Sequence, residues 1–217
     1  HLGPLLVDES PLATEKLYDM MLRMTSAYSP SGLASYAGSA IDLALWDLKG
    51  KRALVTGVSA GIGVESSRAL LARGAEVVGT ARDLAKARTA TKDLTEKYGD
   101  KFKLVEVDLA SLASVRKGAD TIRAMGKPLD IVIANAGVIL SNVDERDASE
   151  ALRLGIDIMQ IGVWNTFQVA IPHIRERGEG GNLIATRSMA ALLDLTDGRG
   201  GSDAYNMAKL AITGLVR

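Results

Sequence analysis

The sequence predicts an α/β fold built on a doubly wound parallel sheet, and three observations carry this prediction. From residue 51 onward, short apolar runs alternate with longer segments of helical spacing, a rhythm typical of right-handed strand–helix–strand crossovers. The strand candidates are continuous apolar runs, such as Ile131-Val132-Ile133, as strands covered on both faces should be. The 22 glycines of the chain suit the tight strand–helix corners that this architecture requires.

The elements follow in order along residues 51–217. Strands are predicted at 52–56, 75–80, 103–107, 130–134 and 182–187. Helices are predicted at about 62–73, 84–98, 111–125, 147–176 and 203–217. The segment 193–203 is rich in glycine and aspartate and is the most flexible-looking loop.

Residues 1–50 have a different pattern, which predicts a hairpin of two helices. Ser10 and Pro11 form a helix start, and Gly50 closes the second helix. We therefore expect a helical appendage at 1–50 and a single larger domain at 51–217.

Composition excludes several classes of function. Lys and Arg together number 26, as do Asp and Glu, so there is no basic field to hold nucleic acid or an anionic membrane. The absence of cysteine excludes disulfides, thiolate catalysis and cysteine–zinc sites, and the presence of only His1 and His173 argues against a histidine-based metal site. No run of about 18 apolar residues is present, and the first residues lack a basic leader. We expect a cytoplasmic protein that engages no membrane.

A glycine turn follows the first predicted strand and precedes the first predicted helix. Its spacing is Gly57-x-x-x-Gly61-x-Gly63, and Ser59 and Ile62 lie between the glycines. Glycines allow the backbone to approach a pyrophosphate, whose charge then faces the helix N-terminus. The absence of a following Gly-Lys-Ser/Thr argues against a nucleoside triphosphate loop. A turn needed only for chain geometry is the alternative interpretation.

The second predicted strand ends at Ala81-Arg82, where a carboxylate would bind a free ribose 2′-hydroxyl in a dinucleotide-binding sheet. A guanidinium suits a 2′-phosphate instead, so Arg82 favours NADP over NAD as the cofactor. A solvated arginine at a strand end is the alternative.

Two further strand ends carry candidate cofactor contacts. Asp108 is placed to hydrogen-bond an adenine edge, although it could equally be a helix cap for 111–125. Asn135-Ala136-Gly137 follows the fourth strand, and small residues there would let a cofactor lie against the sheet. A simple strand-to-loop turn is the other interpretation.

Tyr205 and Lys209 are four residues apart on a predicted helix and therefore share a face. A phenol titrates near pH 10, and a neighbouring ammonium stabilises the phenolate, which makes tyrosine a usable acid or base. Alone, such a pair is typical of any helix surface. In a chain where a glycine turn and Asn-Ala-Gly precede it, the Tyr205–Lys209 pair indicates a catalytic function.

Together these motifs resemble the short-chain dehydrogenase/reductase family over residues 51–217. The resemblance implies a Rossmann-type domain that moves hydride between a nicotinamide and a carbonyl/alcohol pair. It also implies that Tyr205 is the general acid/base, that Lys209 holds the nicotinamide ribose and lowers the tyrosine pKa, and that Ser188 hydrogen-bonds the substrate oxygen.

The chain departs from the family pattern in three places. Met159 occupies the position where the family has an asparagine that supports a water-mediated proton relay. Ser188 and Tyr205 are 17 positions apart, which is longer than the family's habit. The sequence ends at Arg217, within the helix of Tyr205, so we expect a C-terminally truncated domain whose substrate pocket is incomplete.

Residues 31–51 resemble a different family, the enolase superfamily of acid-sugar dehydratases and racemases. They are similar to helices at the junction of its capping domain and barrel. No barrel follows, and Asp42 and Asp47 are interpreted as polar-face residues.

Three functional hypotheses follow. The first is an oxidoreductase that prefers NADP and acts on a small-molecule alcohol or carbonyl, with activity impaired by the missing part. The second is a catalytically silent module that binds nicotinamide nucleotides. The third, a dehydratase-related fragment, rests on residues 1–50 alone. The resemblance also implies a homo-oligomer through helices 147–176 and 203–217.

Overall fold

The computed structural model describes residues 48–138, 148–188 and 201–215. Within them five strands form one parallel sheet in the order β3-β2-β1-β4-β5. The strands are β1 Arg52–Thr56, β2 Glu76–Ala81, β3 Phe102–Glu106, β4 Ile131–Ala134 and β5 Asn182–Ala185. Because all five run in parallel, their carboxyl ends share one edge of the sheet.

Helices connect these strands. They are α1 Ile62–Ala72, α2 Leu84–Ala90, α3 Lys92–Tyr98, α4 Leu112–Arg123, α5 Ala148–Ile156, α6 Gly162–Arg177 and α7 Gly201–Leu215. A 3₁₀ turn, Gly99–Lys101, precedes β3, and a π-helical segment, Asp157–Ile161, joins α5 to α6. None of the helices in the described ranges is long and apolar enough to cross a membrane.

The helices cover both faces of the sheet, as predicted. One face packs against α1 and α3, with Val64, Leu70 and Leu94 in its core. The opposite face packs against α4, α6 and α7, through Val115, Phe167 and Ile212. Both crossovers that follow β1 and β2 lie on the first face, and the chain changes face after β3. As a result the strand order reverses between β1 and β4. Such a reversal places a crevice at the carboxyl edge of the sheet, where ligands of these sheets bind.

Two predicted helices are interrupted in the structure. The helix predicted at 84–98 is broken at Thr91, whose φ of −116° lies outside the helical range. Its buried hydroxyl donates to the Ala87 carbonyl at 2.8 Å, a local bond that competes with regular helix geometry. The helix predicted at 147–176 contains the π-helical segment, which a 3.6-residue period does not reveal.

Leu48 is the point at which the N-terminal segment enters the packed unit. Its side chain is 7% exposed and belongs to the same core cluster as Ala53 and Leu71. The hairpin predicted at 1–50 otherwise lies outside the described residues, as does most of the loop predicted at 193–203.

Candidate cofactor and proton-transfer site

The glycine turn lies at the carboxyl end of β1, beside the end of β2. The Thr80 carbonyl accepts hydrogen bonds from the backbone N–H groups of Gly57 and Val58, at 2.8 and 3.1 Å. Gly57 has a φ of +78°, and a Cβ there would lie 2.7 Å from the Ala136 Cα. A Cβ on Gly63 would lie 2.2 Å from the Gly57 carbonyl oxygen. These two glycines therefore allow a turn that no larger residue permits.

The N-terminus of α1 emerges from this turn without a side-chain cap. Gly61 is the N-cap residue, and a Cβ built on it would meet nothing within 4 Å. Ser59 is half-buried in the turn, and Ile62 is exposed at the first helical position. The first N–H groups of a helix need acceptors, and an anion can supply them. The open end of α1 therefore fits the pyrophosphate of a dinucleotide.

Asn135 ties three strand ends together. Its Nδ2 donates to the Thr56 carbonyl at 3.0 Å, and its Oδ1 accepts from the Thr186 hydroxyl at 3.3 Å. The Thr56 hydroxyl oxygen in turn accepts from the backbone N–H groups of Asn135 and Ala136, each at 3.0 Å. The side chain of Asn135 thus holds the ends of β1, β4 and β5 in register, so its contribution to the site is positional.

Lys209 lies beneath the same edge, with only 3% of its surface exposed. Its Nζ donates to the Thr186 carbonyl at 2.9 Å. A Cβ on Gly137 would come within 3.4 Å of this Nζ and 3.5 Å of the Met159 sulfur, so both atoms face the same small residue. Desolvation by burial lowers the pKa of Lys209 from 10.5 to about 8.

Tyr205 is half-buried on α7, one helical turn before Lys209. The Lys209 Nζ lies 5.9 Å from the centre of the tyrosine ring, which confirms the expected shared face. The ring packs against an apolar cluster that contains Ala151, Met159 and Ala208. Ser188 is half-buried three residues after β5, at the same edge of the sheet.

The remaining candidates, Arg82 and Asp108, follow β2 and β3. Arg82 is exposed, and within the described ranges its guanidinium makes no ion pair or hydrogen bond. Asp108 Oδ1 accepts from the Ala110 backbone N–H at 3.0 Å, which forms a local turn. The cap of α4 is Ser111, which accepts from the Ser114 N–H, so the interpretation of Asp108 as that cap is wrong.

Two threonines organise this edge, although the sequence analysis did not predict them as site residues. Thr56 positions the Asn135-Ala136 turn, and Thr186 holds both Asn135 and Lys209. A threonine at the carboxyl end of an apolar strand was the available signal. Its meaning depends on the strand order, which brings β1, β4 and β5 side by side.

Comparisons with known proteins identify families that both parts of the chain resemble. Residues 51–217 match the family model described as short chain dehydrogenase. Residues 1–62 match the family model of the mandelate racemase/muconate lactonizing enzyme N-terminal domain. This agrees with the resemblance of the N-terminal segment to the enolase superfamily.

Individual relatives point the same way. An uncharacterized oxidoreductase of Mycobacterium tuberculosis is 32% identical over 186 residues, which are 78% of this chain and 65% of that protein. A short-chain dehydrogenase structure from Novosphingobium aromaticivorans, described as putative, superposes with a TM-score of 0.67 at 32% identity, covering 78% of this chain and 62% of that one. The NADP complex of RhlG from Pseudomonas aeruginosa gives a TM-score of 0.67 at 28% identity, with coverages of 78% and 65%.

The first curated relatives are longer than this chain, which spans between 32% and 65% of their length. The matched family model nevertheless covers residues 51–217, which is most of the chain. The five-stranded parallel sheet agrees with that match. The chain belongs to the short-chain dehydrogenase family.

Proposed function

We propose that this protein is an oxidoreductase that binds NADP(H) and interconverts a small alcohol and its carbonyl compound. The observation that carries the proposal is the buried Lys209 ammonium, held by Thr186 beside Tyr205 at the edge where the glycine turn opens. Burying a lysine costs stability, so a position that keeps one needs a reason beyond packing. Contact with a nicotinamide ribose and support of a tyrosine acid/base provide that reason.

The residues divide the work between cofactor and substrate. The open N-terminus of α1 would hold the pyrophosphate. The residues around it are Gly57, Ser59, Gly61, Ile62 and Gly63. Asp108, Asn135, Ala136 and Gly137 would border the adenosine and nicotinamide along the sheet edge, and Lys209 would hold the ribose hydroxyls. Bound NADP(H) would supply the hydride chemistry.

The chain's own catalytic groups would handle the proton and the substrate oxygen. The Tyr205 hydroxyl would donate a proton to the carbonyl oxygen in reduction and accept it in oxidation. The Ser188 hydroxyl would donate a hydrogen bond to the same oxygen, where negative charge develops. The apolar cluster around Tyr205 would keep water from the reacting atoms.

Turnover across a panel of alcohols and carbonyl compounds tests this assignment. Tyr205→Phe should abolish turnover and leave NADPH affinity within about twofold, because one hydroxyl carries the proton transfer. Tyr98→Phe on α3, away from the site, is the matched control and should keep full activity. Full activity of Tyr205→Phe would contradict the assignment, and cofactor binding without turnover in the unmodified chain would favour the catalytically silent module.

The preference for NADP rests on the exposed guanidinium of Arg82, which has no hydrogen-bond or ion-pair partner in the part of the chain that the structure describes. In Arg82→Gln we expect NADPH to bind about tenfold more weakly and NADH to bind unchanged, because only NADPH offers a 2′-phosphate to a charged donor. Arg88→Gln, an exposed arginine on α2, should change neither affinity. Equal losses for both cofactors would show that Arg82 acts on something other than the 2′-phosphate.

Association into a homo-oligomer is part of the proposal. Trp164 is 51% exposed on α6, and Ile161, Met207 and Leu210 are also exposed on the π-helical segment and α7. An apolar surface of this kind is typical of a protein interface. Light scattering measures the molar mass, which should shift toward that of the monomer in Trp164→Glu and stay unchanged in the control Leu112→Glu on α4. An unmodified chain that stays monomeric at high concentration would contradict the expected association.

Two expectations from the sequence stay predictions. The first is a division of the chain near residue 50, which limited proteolysis with mass analysis of the fragments would test. The second is a cytoplasmic location, which cell fractionation would test.

A further inference from the structure

A cavity of about 440 Å³ lies between the sheet and helices α4 and α6. Its volume falls within the range of small-molecule pockets, roughly 300–1,000 Å³. Small residues leave the space open. Ala119 on α4 and Ala170 on α6 line it, as does Gly126 after α4. None of Ser188, Tyr205 and Lys209 lines this cavity, so it is separate from the proposed catalytic groups.

The interior of the cavity is apolar. Side chains from β1, the segment after β3, α4 and α6 form most of its wall, among them Leu54, Val107, Leu109, Val115, Ile122 and Val169. The hydroxyls of Thr166 and Thr56 in the lining are engaged within the protein. Thr166 donates to the Gly162 carbonyl at 2.7 Å, and Thr56 accepts two backbone N–H groups. A bound molecule would therefore meet mostly hydrocarbon.

Charged residues line the cavity where it approaches solvent, and its arginines and lysine are paired with carboxylates of the protein itself. Arg123 donates to Asp120 at 2.7 Å and lies 2.5 Å from the His173 Nε2, which bridges α4 and α6. Glu176, also in the lining, lies 3.7 Å from the His173 Nδ1.

The two remaining cations of the lining are also neutralised. Lys127 pairs with Glu76, and Arg177 pairs with Asp130 at 2.9 Å. A charged guest would have to break one of these pairs and lose its own hydration, whereas an uncharged one would not.

We propose that this cavity is a binding site for one uncharged, apolar small molecule, distinct from both the cofactor and the substrate of the oxidoreductase. The guest displaces no charged pair and gains the burial of its hydrocarbon surface, which is the main source of affinity in such a pocket. Because Thr56 lines the cavity and also positions Asn135 and Ala136, the site lies directly behind the cofactor edge.

A matched pair of fluorescent probes tests both the site and its preference for uncharged guests. N-phenyl-1-naphthylamine is apolar and uncharged, and its 8-sulfonate has the same ring skeleton with one negative charge. In titrations of the full chain we expect the neutral probe to bind at one equivalent per chain. The sulfonate should bind at least about tenfold more weakly, because its charge would be buried beside paired groups. Saturating NADPH should leave the neutral probe bound.

Two substitutions place the probe in the cavity. Ala119→Phe fills the space from α4, and Ala113→Phe adds the same ring to the exposed side of the same helix. We expect the first to abolish binding of the neutral probe and the second to leave it unchanged. If Ala119→Phe does not fold, Ala170→Leu fills the cavity from α6 and decides the question.

Several results would overturn the proposal. One is probe binding that is unchanged in the folded cavity-filling variant, which would place the probe on the exposed apolar surface of α6 and α7. Others are equal affinity for the two probes, and displacement of the neutral probe by NADPH. None of these outcomes depends on turnover, so they leave the proposed oxidoreductase activity to its own test.

Discussion

Replacing Lys209 by methionine tests whether the ammonium at the candidate site is buried at the expense of stability. The lysine is 3% exposed, and desolvation lowers its pKa from 10.5 to about 8 in the folded protein. In the unfolded chain the same group regains its ordinary pKa. Between these two values the folded protein has released a proton that the unfolded chain still binds, so stability should rise with pH across this window.

The size of the effect follows from the two pKa values. For a pKa of about 8 folded and 10.5 unfolded, raising the pH from about 7 to about 9.5 should increase the free energy of unfolding by about 2 kcal/mol through this group alone. Lys209→Met lacks the titrating group and should lose this increment. Other residues that titrate in the window are common to both proteins, and they cancel when the two pH responses are subtracted.

Urea unfolding followed by circular dichroism at the two pH values measures this difference. Lys86→Met, which removes an exposed lysine on α2, is the control and should follow the unmodified protein. Identical pH responses in Lys209→Met and the unmodified protein would refute the reasoning, because they would show that the ammonium is not desolvated.

Three further substitutions test the geometry of the site. Gly63→Ala should weaken NADPH binding and cost about 1–3 kcal/mol of stability, because its Cβ would meet the Gly57 carbonyl oxygen. The control is Gly214→Ala, which has open space around it and should be neutral or stabilising in thermal unfolding. Asn135→Ala should cost about 1–3 kcal/mol in urea unfolding, since the Thr56 carbonyl loses its donor; an unchanged midpoint would argue against the strand-tying role. Met159→Ala should cost about 2–5 kcal/mol, because the side chain is fully buried, and a loss below about 1 kcal/mol would contradict that packing.

The sequence was sufficient for the parts of the fold that local pattern controls. Strands buried on both faces must be apolar runs, so all five could be located to within two residues at each end. The pairing of Tyr205 with Lys209 was also predictable, because a spacing of four on a helix fixes it.

What the sequence did not reveal depends on contacts between distant segments. Thr56 and Thr186 are ordinary residues at strand ends, and their roles appear only when β1, β4 and β5 become neighbours. The π-helical segment around Met159 and the break at Thr91 depend on hydrogen bonds that a hydrophobic period does not encode.

The ties made by Asn135 also bear on how the protein reaches its native state. The donor and acceptor of its bond to Thr56 are separated by 79 residues along the chain, and its bond from Thr186 spans 51. Contacts of such long range form only after the intervening chain has been ordered, which makes parallel sheets slow to fold. The cofactor edge should therefore be among the last parts to mature, and a nascent chain would acquire affinity for the nucleotide only when β5 has docked. Ligand binding would then report completion of the whole sheet rather than of the glycine turn alone.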